Sequence, residues 1–360
     1  MTLKDTLIYL GKATFFGLFM ATVFLLASHM LNGGNAINSL LQVRGPEHVE
    51  LSFASAVRRA APAVVNIYSI NIDRQQPLSA GSLQGLGSGV LMSKEGYILT
   101  NYHVIKKADE IIVALQDGRQ FVSEVVGSDP ETDLAVIKIE GDNLPVVPLN
   151  LNIPPQVGDV VLAIGNPYNL GQTITQGIIS ATGRNGLSSG FQDFLQTDAA
   201  INAGNSGGAL IDTSGSLIGI NTAAFQISGE GGNHGINFAI PIKLAYSIMG
   251  KLIKDGRVIR GALGMTGQPL DPARAQILNM PDRSGVLVMK VDKGSPAAQA
   301  DLHPNDIIVS FNGEKVVSAE MLMDRIAETK PGTRIDLTVF RGGNLVTLPV
   351  TIGEKRVNYN

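Results

Sequence analysis

Between residues 64 and 239 the chain passes through nine short apolar or alternating runs: VVNIYSINI, GSGVLMS, GYILTN, EIIVAL, LAVIKI, VVLAIG, TITQGIISATG, GSLIGINTAAF and GINFAIP. Runs this short are poor material for helices, whereas strands buried on one or both faces need no more. Gly, Asn, Asp or Pro bounds each one, which is the punctuation of an all-β barrel or sandwich. The first helical pattern comes only at 242–253 (IKLAYSIMGKLI), where apolar residues recur at threes and fours before Lys254, Asp255 and Gly256 end it. That helix closes a first domain placed at 51–254. Beyond it lie SGVLVMKV, DIIVSFNG and RIDLTVFRGGNLVTLPVTI around one helix near 318–329, a separate small α+β unit at 261–354. Within that unit the Gly342-Gly343 pair predicts a hairpin.

Residues 13–31 (ATFFGLFMATVFLLASHML) are uncharged over about the length a helix needs to cross ~30 Å of hydrocarbon. They are expected to form one transmembrane helix. Lys4 and Lys12 precede it and only Arg44 follows soon after, so the positive-inside bias puts residues 1–12 in the cytoplasm and everything past Asn32 outside. Residues 32–50, rich in Gly and Asn near their start, form a tether. A cleaved signal peptide is the rival reading. Its apolar core would be unusually long, and His29 spoils the small-residue cleavage pattern near Ala27 and Ser28.

The 360 residues carry a net charge of −3 with no block of Lys or Arg, so nucleic acid is not an expected partner. With no cysteine there is no disulfide, thiolate nucleophile or Cys-ligated metal. No HExxH or Walker A string is present, and no cofactor and no metal are expected. The GLGSG at 85–89 has the wrong spacing for a nucleotide loop and runs into a strand, so it reads as the opening of a barrel.

Of the five histidines only His103 lies inside the β-rich region at a strand end, after Leu99-Thr100-Asn101-Tyr102. Alone, such a histidine is more often structural. The balance changes with Gly204-Asn205-Ser206-Gly207-Gly208, followed at once by an apolar run. A serine hydroxyl attacks a carbonyl only if an imidazole takes its proton as the bond forms. Flanking glycines let the Gly204-Asn205-Ser206 backbone turn tightly, so that N–H groups such as those of Gly204 and Ser206 converge on a developing oxyanion. The third partner should be a carboxylate that fixes the imidazole tautomer. Asp133, which opens the strand-like LAVIKI, fits best, and Asp129 in the preceding turn is the second choice.

With TNYHVI, DLAVIKI, INAGNSGGALID and GINFAIP, the chain resembles the HtrA family of ATP-independent serine proteases over nearly its whole length. The resemblance implies a chymotrypsin-like fold of two six-stranded β-barrels with the triad between them, followed by a PDZ domain. One span, a short loop at 72–85 and a single PDZ domain resemble the membrane-anchored, stress-sensing branch more than the soluble branch with two PDZ domains. In chymotrypsin-like sites the S1 pocket is floored a few residues before the nucleophile. Here that means Ala200 and Ile201, which implies cleavage after small or branched aliphatic residues.

A PDZ domain adds a ligand's C-terminal strand to a sheet edge and catches its carboxylate on backbone N–H groups. Arg260-Gly261-Ala262-Leu263-Gly264-Met265 resembles the carboxylate-binding loop, with Ala262, Leu263, Gly264 and Met265 as its peptide-binding residues, and Met323 is expected in the groove. The plainer reading makes Met265 and Met323 core residues. The resemblance further implies gating by C-terminal peptides of misfolded outer-membrane proteins, with Arg184 in a loop at 184–191 carrying the signal and a Gly/Ser-rich loop at 226–233 beside the site. It implies a homotrimer in the bacterial inner membrane, with protease and PDZ domains in the periplasm and a membrane-bound anti-sigma factor as substrate. A general quality-control protease and chaperone is the nearer alternative. A non-catalytic PDZ scaffold is the more distant one, which the intact triad and glycines disfavour. Ala203 departs from the family's usual Pro or His.

Overall fold

The computed structural model describes residues 3–31, 52–71, 82–166, 171–184, 193–222, 235–278, 280 and 283–355. The chain divides into two bodies, Met1–Ser52 and Phe53–Asn360. The first contains a single helix among its described residues, α1 (Leu3–Leu31). It begins well before the uncharged stretch, because nothing between Leu3 and Ala13 breaks a helix. The apolar segment within it is Thr6–Ser28, whose 23 residues of mean hydropathy 1.8 are long and apolar enough to cross a membrane. The uncharged stretch at 13–31 lies within this helix and overlaps most of that segment.

The second body opens with α2 (Ala54–Ala60) and a sheet built from β1 (Val64–Asn71), β2 (Ser82–Leu91), β3 (Tyr97–Asn101), β4 (Glu110–Ala114), β5 (Gln120–Val122), β6 (Glu124–Asp129) and β7 (Leu134–Lys138). A single turn of helix, α3 (Tyr102–Ile105), interrupts it after β3. The strand order is β5-β4-β1-β2-β3-β7-β6, with no ladder joining the two ends. Those ends are consecutive in the chain, separated only by Ser123, whose N–H still donates to Ile111 O at 3.0 Å. One long strand thus bends at Ser123 and lies on both edges of the sheet. The six strands expected of this half are seven hydrogen-bonded runs, closed through the chain instead of through a ladder.

The next six strands form a closed barrel: β8 (Val160–Gly165), β9 (Thr173–Arg184), β10 (Phe194–Thr197), β11 (Ala209–Asp212), β12 (Leu217–Thr222) and β13 (Asn237–Pro241), ordered β10-β13-β12-β11-β8-β9. Alternation sorts their side chains. Val161, Ala163, Ile179, Leu210 and Ala239 fill the barrel, whereas Leu162, Ile164, Ala209, Ile211 and Ile220 join the core of the first half. The two halves therefore share an apolar seam, and the polar residues at its mouth are fixed by it. Helix α4 (Ile242–Asp255) buries Ile242, Ala245, Ile248, Met249 and Leu252 along one stripe and ends where Gly256 takes φ 70°, its N–H bonding Leu252 O.

The remaining elements are β14 (Gly261–Ala262), β15 (Met265–Pro269), α5 (Pro272–Ile277), β16 (Val286–Val291), α6 (Pro296–Gln299), β17 (Ile307–Phe311), β18 (Glu314–Lys315), α7 (Ala319–Glu328), β19 (Arg334–Arg341), β20 (Asn344–Thr351) and β21 (Gly353–Glu354). Their main sheet runs β15-β16-β17-β19-β20, which leaves β15 at an edge with α7 beside it. The β19–β20 hairpin turns on Gly342 and Gly343, at φ 57° and 89°, as a two-residue primed turn requires.

Candidate active site

Strand β3 ends at Asn101 and gives way at once to α3, which presents His103. The register Asn101↔Leu134 sets this end of β3 beside the start of β7. Two further bonds hold it there: Tyr102 N and Asn101 Nδ2 both donate to Asp133 O, at 3.0 and 2.9 Å. Asp133 itself sits at φ 54°, a left-handed conformation that Asp and Asn tolerate better than most residues. This turn aims its carboxylate back at α3. Oδ1 accepts from His103 N at 3.0 Å and Oδ2 from His103 Nδ1 at 2.7 Å. Thr222, the last residue of β12 in the other barrel, donates to Oδ2 at 3.2 Å. Asp133 is buried and His103 exposed, so the carboxylate is met by hydrogen bonds on both oxygens while the imidazole reaches outward. With Oδ2 as acceptor, the proton resides on Nδ1 and Nε2 is left with a lone pair.

Ser206 lies in the tight turn before β11. The turn presses so closely on the first half that only glycine fits beside the serine. A Cβ on Gly207, at φ 81°, would stand 2.2 Å from Ser88 O, 2.4 Å from Thr100 Oγ1 and 3.1 Å from Asn101 N. One on Gly208 would stand 2.2 Å from Ile164 O. Ser206 is thereby seated against the end of β3, where His103 follows. Gly207 N donates to Asn221 O and Ser88 N to Ser206 O, at 2.9 and 2.8 Å. Gly204 has φ 101°. Asn205 N is already spent on Asn202 O at 2.9 Å, which corrects its place in the expected oxyanion hole.

Asp129, the second choice for the carboxylate, is otherwise engaged. Buried at 2 % exposure, it takes a two-pronged hydrogen bond from Arg260, itself 7 % exposed, with Nη1 and Nη2 at 2.8 and 2.6 Å from its two oxygens. Thr132 Oγ1 adds a bond at 2.6 Å. Glu131 extends the cluster, with Arg260 Nε at 3.5 Å and Lys355 Nζ at 2.9 Å. A side chain at the root of the last domain is thus anchored to the turn that carries Asp133. The sequence motif places Arg260 at the start of the peptide-binding loop and gives no sign of this contact.

Ala200 is exposed and its carbonyl accepts from Thr175 Oγ1 at 2.8 Å. Ile201 is fully buried with Val161, Ile179 and Leu210, so the structure accounts for it as barrel core. Arg184 closes β9, where its backbone pairs with Phe194. The remainder of the loop at 184–191, and all of 226–233, lie outside the described residues.

In the last domain, Ala297 N and Asp292 N bond Leu263 O and Gly264 O at 2.9 Å each, pinning the loop before β15. Gly264 has φ 71°, and a Cβ there would meet the Ser295 side chain at 2.4 Å. Leu263 and Met265 are buried in the domain core, while Met323 on α7 is 48 % exposed. The plainer reading therefore holds for Met265 and not for Met323. Also on α7, burial and the neighbouring Glu320 and Glu328 push the Asp324 carboxyl up from its ordinary pKa. Just before β17, burial would raise Asp306 as well. Hydrogen bonds from Arg341 and the His303 backbone outweigh it and hold Asp306 below the usual carboxylate range.

A histidine paired to a buried carboxylate at the end of one strand, and a serine on a glycine-walled turn packed against that same strand end, between two β-halves that share a seam, mark a serine hydrolase of chymotrypsin-like architecture. Residues 87–220 match the trypsin-like peptidase domain and residues 261–352 the PDZ domain. The serine endoprotease DegS of Escherichia coli K12 is 50 % identical over 343 residues, covering 94 % of this chain and 96 % of that one. DegS of Haemophilus influenzae is 45 % identical over 97 % of this chain and 99 % of its own. Among solved structures, the HtrA-type protease AlgW with a tripeptide superposes with a TM-score of 0.78 at 48 % identity, covering 85 % of this chain and 98 % of that one. The serine endoprotease from Yersinia pestis gives 0.72 at 51 % identity, covering 86 % and 100 %. The chain belongs to the HtrA family of serine endoproteases, and is of the DegS kind.

Proposed function

We propose that this protease is anchored in the inner membrane by α1, faces the periplasm, and is switched on when peptide C-termini occupy its PDZ domain. His103 Nε2 takes the Ser206 proton as Oγ attacks the scissile carbonyl, and Asp133 holds the ring and stabilises the imidazolium. The N–H groups of Gly204 and Ser206 receive the oxyanion. His103 then protonates the leaving amine, and water repeats the sequence on the acyl-enzyme. The observation that carries this reading is the Asp133 carboxylate, which binds both the His103 backbone N–H and Nδ1, at 3.0 and 2.7 Å. A carboxylate that merely capped a strand would have no reason to bind both the main chain and the ring of one histidine.

For gating, the open edge of β15 beside α7 offers a place for an added strand, with Ala262, Leu263 and Gly264 at its carboxylate end and Met323 along its wall. Arg260 leads directly into this loop and directly onto Asp129, four residues before Asp133. Peptide binding and the triad are thereby mechanically connected, and Arg184, at the end of β9, is the second link. The activating ligands are C-termini of unfolded outer-membrane proteins and the substrate is a membrane-bound anti-sigma factor. The active form is a homotrimer. Ala200 and its surroundings select small or branched aliphatic residues at the cleaved bond.

The test uses the full-length protein in detergent, wild type against Ser206→Ala, on an unfolded reporter with and without a peptide ending in a free apolar carboxylate. Peptide-stimulated hydrolysis that vanishes in Ser206→Ala is the expected outcome. Equal rates with and without peptide refute the gating, and hydrolysis surviving in Ser206→Ala refutes the chemistry.

A further inference from the structure

We infer that Ser88 is a positioning residue for the oxyanion hole, an assignment that rests on the serine-protease reading of the site. Ser88 belongs to β2 in the first half, yet its N–H and its hydroxyl are both spent on the second, each reaching the nucleophile turn. Its Oγ donates to Gly204 O at 2.7 Å and accepts from Asn166 N, just beyond β8, at 3.1 Å. Its N–H donates to Ser206 O at 2.8 Å, and its carbonyl accepts from Thr100 Oγ1 at 2.7 Å. The side chain is completely buried, so none of these bonds competes with bulk water.

The carbonyl that Ser88 holds is the one between the two oxyanion donors. The N–H of Gly204 belongs to the Ala203–Gly204 peptide and that of Ser206 to the Asn205–Ser206 peptide. The Gly204–Asn205 peptide lies between them and sets their relative orientation. Both of its polar ends are fixed: the carbonyl by Ser88, the N–H by Asn202 O at 2.9 Å. Glycine at 204 makes this restraint necessary, because its backbone rotates at little steric cost. A hydroxyl reaching across from the other barrel replaces the stiffness that a Cβ would have given. The sequence hid it, since Gly87-Ser88-Gly89 reads as an ordinary strand opening.

Ser88→Ala keeps the backbone bond to Ser206 and removes only the hydroxyl. On a fluorogenic peptide substrate, with full-length protein and saturating activating peptide, kcat should fall by about 10- to 100-fold, less than or comparable to losing a whole oxyanion donor. KM should stay within about twofold, as expected when an interaction is realised only in the transition state. Affinity for a tetrahedral peptide boronate should fall in step with kcat. Ser88→Thr retains the hydroxyl and should recover most of the rate. An unchanged kcat in a folded Ser88→Ala overturns the assignment, as does a loss shared equally by kcat, boronate affinity and simple substrate binding. Ser206→Ala run alongside separates the two levels. If it is active, the serine-protease reading fails. If it is dead while Ser88→Ala is normal, only the role of Ser88 fails.

Discussion

Replacing Asp133 with Asn changes one atom and should almost abolish activity without disturbing the fold. The backbone at 133 has φ 54°, a conformation Asn accepts at least as readily as Asp, so the turn itself bears no new strain. The outcome is decided by the two bonds to His103. The backbone N–H of His103 needs an acceptor at the position of Oδ1, 3.0 Å away. An amide meets that need only by placing its oxygen there, which turns its NH₂ toward Nδ1 at the 2.7 Å contact. The imidazole must then accept at Nδ1 and carry its proton on Nε2, leaving no lone pair for Ser206. Flipping the amide sets two donors face to face at the backbone. Either arrangement defeats the general base, at a cost of about 10⁴-fold in kcat, or about 5 kcal/mol of transition-state stabilisation. The assay is kcat and KM on a peptide substrate together with thermal unfolding. A folded Asp133→Asn protein within tenfold of wild type would mean that His103 is oriented by something else.

Arg260→Ala should strand the buried Asp129 charge and destabilise the protein by about 3–5 kcal/mol. Arg260→Met combined with Asp129→Leu should recover much of that, and an unchanged ratio of stimulated to basal rate in the single variant would break the proposed link to the peptide site. Gly207→Ala combines a forbidden φ with a 2.2 Å approach to Ser88 O and should cost about 2–4 kcal/mol in thermal unfolding. Asp306, held below its ordinary pKa, contributes stability that is complete above about pH 4 and is lost as pH falls through its lowered value. Arg341→Gln should remove that contribution and flatten the acid limb of the unfolding profile. Asp324→Asn should stabilise α7 at neutral pH, because the raised carboxyl is a liability only when ionised. The gain should vanish below about pH 4.

Most strands were legible because period and breakers are local, though β5, β6 and β10 lie in none of the nine runs. His103, Asp133 and Ser206, in that chain order, could be picked out as candidates, since strand ends and glycine turns leave marks in the chain. Long-range commitments were not legible. Nothing near Arg260 announces that its guanidinium lies against Asp129, 131 residues away, and nothing near Thr222 or Ser88 announces a bond across the barrel seam. Ile201 illustrates the converse. A small apolar stretch before the nucleophile suits a pocket floor and a barrel core equally, and only the fold places it among Val161, Ile179 and Leu210. The bend at Ser123 left no trace either, since none of the nine runs falls between 115 and 134, where β5 and β6 lie.

The seam between protease and PDZ domain has a consequence for building chimeras. Gly256 ends α4 so close to β6 that a Cβ on Gly127 would stand 2.3 Å from Gly256 O, and within a few residues Arg257 pairs with Glu354 while Arg260 and Lys355 engage Asp129 and Glu131. Both termini of the PDZ domain are therefore fastened to partners near the junction. A recombination point placed at Gly261, where the family boundary falls, would separate Arg260 from its own β14–β21 frame. Grafts that carry residues 257–355 together with Asp129 and Glu131 preserve the joint, and a PDZ domain from another source reproduces these contacts only if it brings an arginine to that position.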